Sequence, residues 1–175
     1  MPFKSRIRTV PHYPKPGVMF RDITTLLKDA TGLQLAVKSL ADHFRGQPID
    51  RVVGIEARGF IVGAAVAYEL GLGFIPARKK GKLPAETVGQ DYALEYGTDR
   101  IEIHADAVAP GESILLIDDL IATGGTALAA CTLIQGMGGK IQGCGFVIDL
   151  PDLGGCQLMQ DQGFAVFALC EFEGD

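Results

Sequence analysis

Four apolar residues, Ile114-Leu115-Leu116-Ile117, run directly into Asp118-Asp119 and then into Leu120-Ile121-Ala122-Thr123-Gly124-Gly125-Thr126. An unbroken apolar run of this length fits a strand covered on both faces, as in a parallel sheet. The two carboxylates then fall at the strand's C-terminal end, where open α/β sheets bind their ligands. Behind the small-residue loop a helical pattern opens (Ala127, Ala130, Cys131, Ile134, Met137), closed by Gly138-Gly139. The first N–H groups of a helix have no intrahelical partner and lie at the positive end of its dipole, so this loop is suited to an anion.

The two halves of the stretch suit different parts of one ligand. Carboxylates repel phosphate and accept hydrogen bonds from sugar hydroxyls; the loop does the reverse. Together they predict a ribose 5-phosphate, with its diol on Asp118 and Asp119 and its phosphate on Ala122, Thr123, Gly124, Gly125 and Thr126. A carboxylate metal site at Asp118-Asp119 is the rival reading, and an ordinary βα turn with an acidic flank is the bland one.

The same pattern of strand, tight turn and helix occurs earlier. Residues 51–55 read as a buried strand that ends in Glu56-Ala57-Arg58-Gly59-Phe60, and a helix follows with Ile61, Ala64, Ala65 and Tyr68, stopped by Gly71. Arg58 stands at the turn, and its guanidinium fork suits two phosphate oxygens. Ahead of this unit, Leu33, Val37, Leu40 and Phe44 mark an amphipathic helix, with Asp29 or Thr31 as its start signal. Residues 1–18 carry four prolines and should run extended over the surface. Phe20, just after this arm, reads either as a packing residue or as a platform for a flat base.

After a short strand at 73–77 the chain turns polar and glycine-bearing, with a cationic cluster of Arg78, Lys79, Lys80 and Lys82. Alternation on either side of Gly97 predicts a hairpin. A long loop and hairpin inside a compact domain fits a mobile lid, and a plain surface hairpin with Glu102 and His104 facing solvent is the alternative. Strands at 142–148 and 164–170 complete an alternating pattern. The expected fold is a single α/β domain over residues 1–175, with a mostly parallel central sheet flanked by helices. An N-terminal arm (1–29) and a lid hairpin (78–104) are attached to it.

A net charge of −5 argues against a broad nucleic-acid-binding face. The longest apolar run, residues 60–68, is too short to span a bilayer. Cys131, Cys144, Cys156 and Cys170 lack metal-site spacing, and with no signal-peptide pattern they read as reduced thiols of a cytoplasmic protein.

The ordered landmarks resemble those of the adenine branch of the type I phosphoribosyltransferase family over nearly the whole chain. They are Pro16-Gly17-Val18-Met19-Phe20-Arg21-Asp22, Glu56-Ala57-Arg58-Gly59-Phe60, Arg78-Lys79-Lys80-Gly81-Lys82-Leu83-Pro84, Leu94-Glu95-Tyr96-Gly97, the run 118–126 and Asp149-Leu150. The resemblance implies a transferase that converts adenine and 5-phosphoribosyl pyrophosphate (PRPP) to AMP and pyrophosphate, through an oxocarbenium-like transition state. It implies PRPP and AMP contacts at Ala57, Arg58, Arg78, Lys79, Lys82, Asp118, Asp119 and residues 122–126. Adenine would lie on Phe20, read by main-chain groups of Met19 and Arg21, with Leu150 on its other face. Catalysis would fall to Glu95, Asp118 and Arg58. Magnesium held mainly by the substrate's oxygens, a cis peptide at the Arg58 turn, a homodimer and cytoplasmic location are further implications of the resemblance. No protein metal ligand, nucleic acid or membrane partner is expected. The related 6-oxopurine enzymes carry a lysine near the strand end before Leu150, where this chain has Phe146-Val147-Ile148-Asp149. A regulator that binds PRPP without turnover is the rival class, and salt-dependent DNA binding would reveal it.

Overall fold

The computed structural model describes residues 2–94 and 96–174. In chain order the elements are β1 (Arg8–Pro11), β2 (Met19–Asp22), α1 (Thr24–Lys28), α2 (Ala30–Phe44), β3 (Arg51–Ile55), α3 (Arg58–Leu70), β4 (Gly73–Lys79), β5 (Thr87–Ala93), β6 (Thr98–His104), β7 (Ser113–Ile121), α4 (Gly125–Gly136), β8 (Lys140–Asp149), α5 (Gly155–Asp161) and β9 (Val166–Glu171). The main sheet has the order β5-β6-β4-β3-β7-β8-β9. Strands β4, β3, β7, β8 and β9 run parallel, and the β5–β6 hairpin joins antiparallel at the β4 edge.

Alternation along the buried strands divides the core into two layers. Val52, Leu115 and Ile117 face one side with Ile23, which precedes α1, and with Leu26, Leu40, Phe44, Val62 and Val66, from α1, α2 and α3. Val53, Leu116 and Phe146 face the other side with Ala130, Ile134 and Met159, from α4 and α5. A parallel sheet needs cover on both faces, and the continuous apolar strands read in the sequence are its result.

The arm departs from the extended surface path expected of it. Its first turn is a 3-10 helix (Lys4–Arg6), and β1 pairs with β2 in a separate two-stranded sheet. Phe3 and Ile7 are buried in the core, which prolines spaced along the arm do not prevent. The basic residues of the arm are tied down: Arg6 pairs with Asp29, and Arg8 pairs with Asp22. Asp22 also accepts hydrogen bonds from the Thr24 hydroxyl (2.6 Å) and the Thr24 N–H (2.9 Å). The Thr24 hydroxyl first, and then Arg8, hold its carboxyl down to a pKa of about 2. These bonds start α1, a helix with no apolar periodicity long enough to announce it.

Two further features differ from the reading of the sequence. On α3 the positions Ile61, Ala64, Ala65 and Tyr68 do lie on one face, but it is the outer face, with Ile61 51% and Tyr68 88% exposed. The buried face is Gly59, Val62, Gly63, Val66 and Ala67. Glu102 is buried rather than solvent-facing, accepting hydrogen bonds from Gly81 N–H (2.7 Å) and Thr87 Oγ1 (3.2 Å), so strand alternation fails where a loop folds back over the hairpin.

Candidate active site

The C-terminal ends of β3 and β7 open into a cavity of about 370 Å³. Its walls are Glu56-Ala57-Arg58 from one turn, Lys79, Tyr92, Leu94 and Asp99 from the hairpin side, and the whole run 118–127. The two strand–turn–helix units singled out in the sequence thus meet across one space, because β3 and β7 are adjacent and parallel with Gly54 opposite Ile117.

Strand β7 runs on past the carboxylates to Ile121, held by Leu120 opposite Ile148 and Ile121 opposite Asp149 on β8. Asp118 and Asp119 therefore sit within its last turn of pleat rather than at its final residue. Asp118 Oδ1 accepts the Asp119 N–H at 2.8 Å. Burial first, and the neighbouring Asp119 carboxylate second, push the Asp118 carboxyl well above the usual carboxylate range. The start of α3 presses on this pair. A Cβ on Gly59 would lie 2.7 Å from Asp118 Oδ1 and 3.1 Å from the Ile117 carbonyl, so only glycine allows the helix to approach so closely.

The Glu56–Ala57 peptide is cis, as the resemblance implies. Arg58 Nε donates to Asp119 Oδ2 at 2.5 Å, and its guanidinium carbon lies 5.6 Å from the Phe20 ring centroid. Phe20 is also met edge-on by Tyr13 at 5.2 Å. The arm thereby reaches the rim of the cavity through Arg58.

The cationic cluster divides. Lys79 lines the cavity and pairs with Asp99 at 3.2 Å; the Asp99 hydrogen bond raises its pKa. Arg78 turns away, donating to Glu56 Oε1 (2.9 Å) and the Lys82 carbonyl (3.4 Å). Glu56 also accepts the Lys79 N–H, and the Arg78 hydrogen bond first holds its carboxyl below the usual range. Arg78 and Lys82 are not among the lining residues, nor are Met19, Phe20, Arg21 and Leu150. Arg21 is buried, with its guanidinium on Thr9 Oγ1 (2.8 Å) and over the Phe172 ring (4.7 Å), so its side chain serves the fold and only its main chain is left for a base. Glu95 lies outside the described residues.

Helix α4 starts at Gly125, so Gly125 and Thr126 form its first turn and Gly124, at φ +86°, is its N-cap. The loop 122–126 thus lies at a helix N-terminus facing the cavity. A carboxylate pair, a loop at a helix start and an arginine turn thus surround one space. The phosphoribosyl transferase domain matches residues 24–163. The adenine phosphoribosyltransferase of Nitrosospira multiformis is 65% identical over 175 residues, covering 100% of both chains. The chain belongs to the adenine phosphoribosyltransferase family. Among solved members, the Rhodothermus marinus enzyme superimposes with a TM-score of 0.92 at 47% identity, covering 97% of this chain and 96% of that one. The Giardia lamblia enzyme, solved with 9-deazaadenine, gives 0.91 at 34% identity, covering 97% and 95%. The chain is by this membership a pentosyltransferase, with the fold expected from its sequence.

Reading the sequence missed Asp99, Tyr92 and Leu94 as cavity residues. Asp99 and Ile101 share one side of β6, and the alternation that revealed the strand could have placed Asp99 there. The short helix α5 left no periodic signal, although Gly154-Gly155 at its start was visible.

Proposed function

We propose the following division of labour for the family's reaction, in which adenine and PRPP give AMP and pyrophosphate. Asp118 and Asp119 hold the ribose diol, and their charge favours the cation that develops on the sugar as pyrophosphate leaves. The loop 122–126 holds the 5-phosphate at the start of α4. Arg58 and Lys79 stabilise the departing pyrophosphate. Phe20 stacks adenine, main-chain groups of Met19 and Arg21 read its edge, and Leu150 closes the far side. Glu95 hydrogen-bonds the base near its imidazole nitrogen and serves as candidate general acid or base. Arg78 and Lys82 act by shaping the turn that presents Lys79. The observation that carries this reading is the meeting of Arg58 and Asp118-Asp119 in one cavity with the 122–126 loop.

The cavity fits magnesium of the kind that arrives with phosphates, since such an ion takes most of its ligands from substrate and water. With Asp118 and Asp119 on the ribose diol, the ion would be held mainly by oxygens of PRPP and pyrophosphate. The ion, when bound, neutralises charge on the pyrophosphate. The lid is the hairpin region 78–104, with Ile101 and Ile103 anchoring its β6 strand in the core. The exposed apolar face of α3, with Ile61 and Tyr68, supports a homodimer. No helix among the described residues is long and apolar enough to cross a membrane, and cytoplasmic location follows from the family's salvage chemistry.

The decisive experiment is a base panel. Purified protein with PRPP and Mg²⁺ releases pyrophosphate when adenine is added. Release with hypoxanthine or guanine in its place overturns the assignment of the base pocket. Light scattering of the wild type and Tyr68→Glu tests the dimer, which the glutamate should dissociate.

A further inference from the structure

Gly155, at the start of α5, donates its N–H to the Ala122 carbonyl at 2.9 Å. A Cβ at this position would lie 2.4 Å from that carbonyl oxygen, 2.8 Å from the Gly124 nitrogen and 2.8 Å from Ile121 Cγ1. The contact is reciprocal: a Cβ on Gly124 would come within 3.1 Å of both Gly155 Cα and the Gly155 carbonyl, and 3.3 Å of Leu158 Cδ2. Two backbones therefore pack directly on each other, with Leu158 against the same glycine. Gly155 is buried and makes no part of the cavity wall.

We infer that Gly155 is a positioning residue for the 5-phosphate loop. In a planar trans peptide the C=O and the following N–H point to opposite sides. Fixing the Ala122 carbonyl on Gly155 thereby directs the Thr123 N–H the other way and withdraws a carbonyl dipole that would repel an anion. The Gly124 nitrogen lies against the same glycine, with no room for a side chain between them. A loop set in advance loses less entropy when it takes its ligand, and its donors need no rearrangement. Any side chain at 155 would push the loop 122–124 away from the end of β7. The inference rests on the proposed phosphate role of 122–126 and names what gives that loop its geometry.

The test is Gly155→Ala, with binding of AMP and of inorganic pyrophosphate measured by calorimetry on folded protein. The pyrophosphate contacts come from Arg58 and Lys79, on turns that Gly155 does not touch. The expected result is AMP affinity lower by about tenfold or more, the equivalent of one lost hydrogen bond to a charged group, with pyrophosphate affinity changed less than about twofold. Equal losses for both ligands, or unchanged AMP binding in a folded variant, would overturn the inference. If Gly155→Ala does not fold, Leu158→Ala loosens the same packing without a clash. It should show a smaller loss with the same selectivity for AMP, and the absence of that selectivity is equally fatal. Wild-type protein that binds pyrophosphate but not AMP would instead remove the phosphate role of the loop, and this inference with it.

Discussion

Arg58 and Asp119 are joined across the cavity by a 2.5 Å hydrogen bond between Nε and Oδ2, so the group assigned to pyrophosphate rests on the group assigned to ribose. The Asp119 side chain is 8% exposed and the Arg58 side chain 43%, which makes the carboxylate the buried partner and the arginine the solvent-facing one. The arrangement holds the guanidinium at the cavity with two of its nitrogens still free to form a fork toward phosphate oxygens. Arg58→Lys keeps the charge and loses the fork. The expected result is kcat/KM for PRPP lower by about tenfold or more, with thermal stability little changed. Steady-state kinetics at saturating adenine measure it, and wild-type kcat/KM in the lysine variant would remove Arg58 from its role.

Asp118 is held in its uncharged form more readily than an ordinary carboxylate, chiefly by burial and next by Asp119. A carboxyl whose pKa is raised on folding adds stability in full below its unfolded value and loses that contribution as pH rises through the folded value. Charging Asp118 is therefore a cost the fold bears for function. Asp118→Asn abolishes the charge, so its Tm at about pH 8 should equal or exceed that of the wild type, with the gap closing on acidification toward about pH 4. Turnover should move the other way, with kcat/KM for PRPP reduced by about a hundredfold through loss of a diol acceptor and of charge beneath the developing cation. A variant that is less stable at alkaline pH yet fully active would contradict both halves.

Phe20 is ringed by Tyr13 at its edge and Arg58 over its face, which fixes the plane on which a purine could stack. Alanine substitution under a stacked base costs about 1–3 kcal/mol, or roughly fivefold and upward in affinity. Phe20→Ala should raise the adenine KM by such a factor while leaving the PRPP KM within about twofold. A loss confined to PRPP would show that the base lies elsewhere.

The site was legible wherever one short run carried it. The run 118–126 and the turn 56–60 each combine a buried strand, a distinctive polar group and a helix start; the whole of the first and residues 56–58 of the second lie in the cavity wall. The resemblance supplied the role of Phe20, whose neighbours alone favour packing. What stayed hidden depends on contacts remote in sequence. Arg78 and Lys79 are adjacent cations, yet Glu56 captures the first and the cavity receives the second. Ile61 and Tyr68 have the spacing of a core stripe and lie outside, because the glycines on the opposite side let α3 press against the sheet. Cys131 and Cys144, thirteen residues apart, come within 3.7 Å at the α4–β8 contact. Local pattern determines that such elements exist; which neighbour each meets is decided by the sheet order.

Asp99 offers a prediction of the opposite sign to the others. Its carboxylate faces the cavity, takes Lys79 Nζ at 3.2 Å and the Tyr92 hydroxyl at 3.3 Å, and is kept below the usual carboxylate range first by the Arg100 N–H. It thus competes with any polyanion for Lys79 and adds a repelling charge to the wall. Asp99→Asn frees the lysine and removes that charge while preserving the shape of the side chain. Lys79 is 60% exposed at its side chain, so the interaction is screened by solvent. The expected gain is accordingly modest, a PRPP KM lower by about two- to fivefold at low ionic strength, shrinking as salt is added. Tighter pyrophosphate retention should accompany it and lower kcat if product release limits turnover. Measuring the PRPP KM across a salt series decides the matter: an unchanged value, or a gain indifferent to salt, would mean that Lys79 does not meet the substrate's charge.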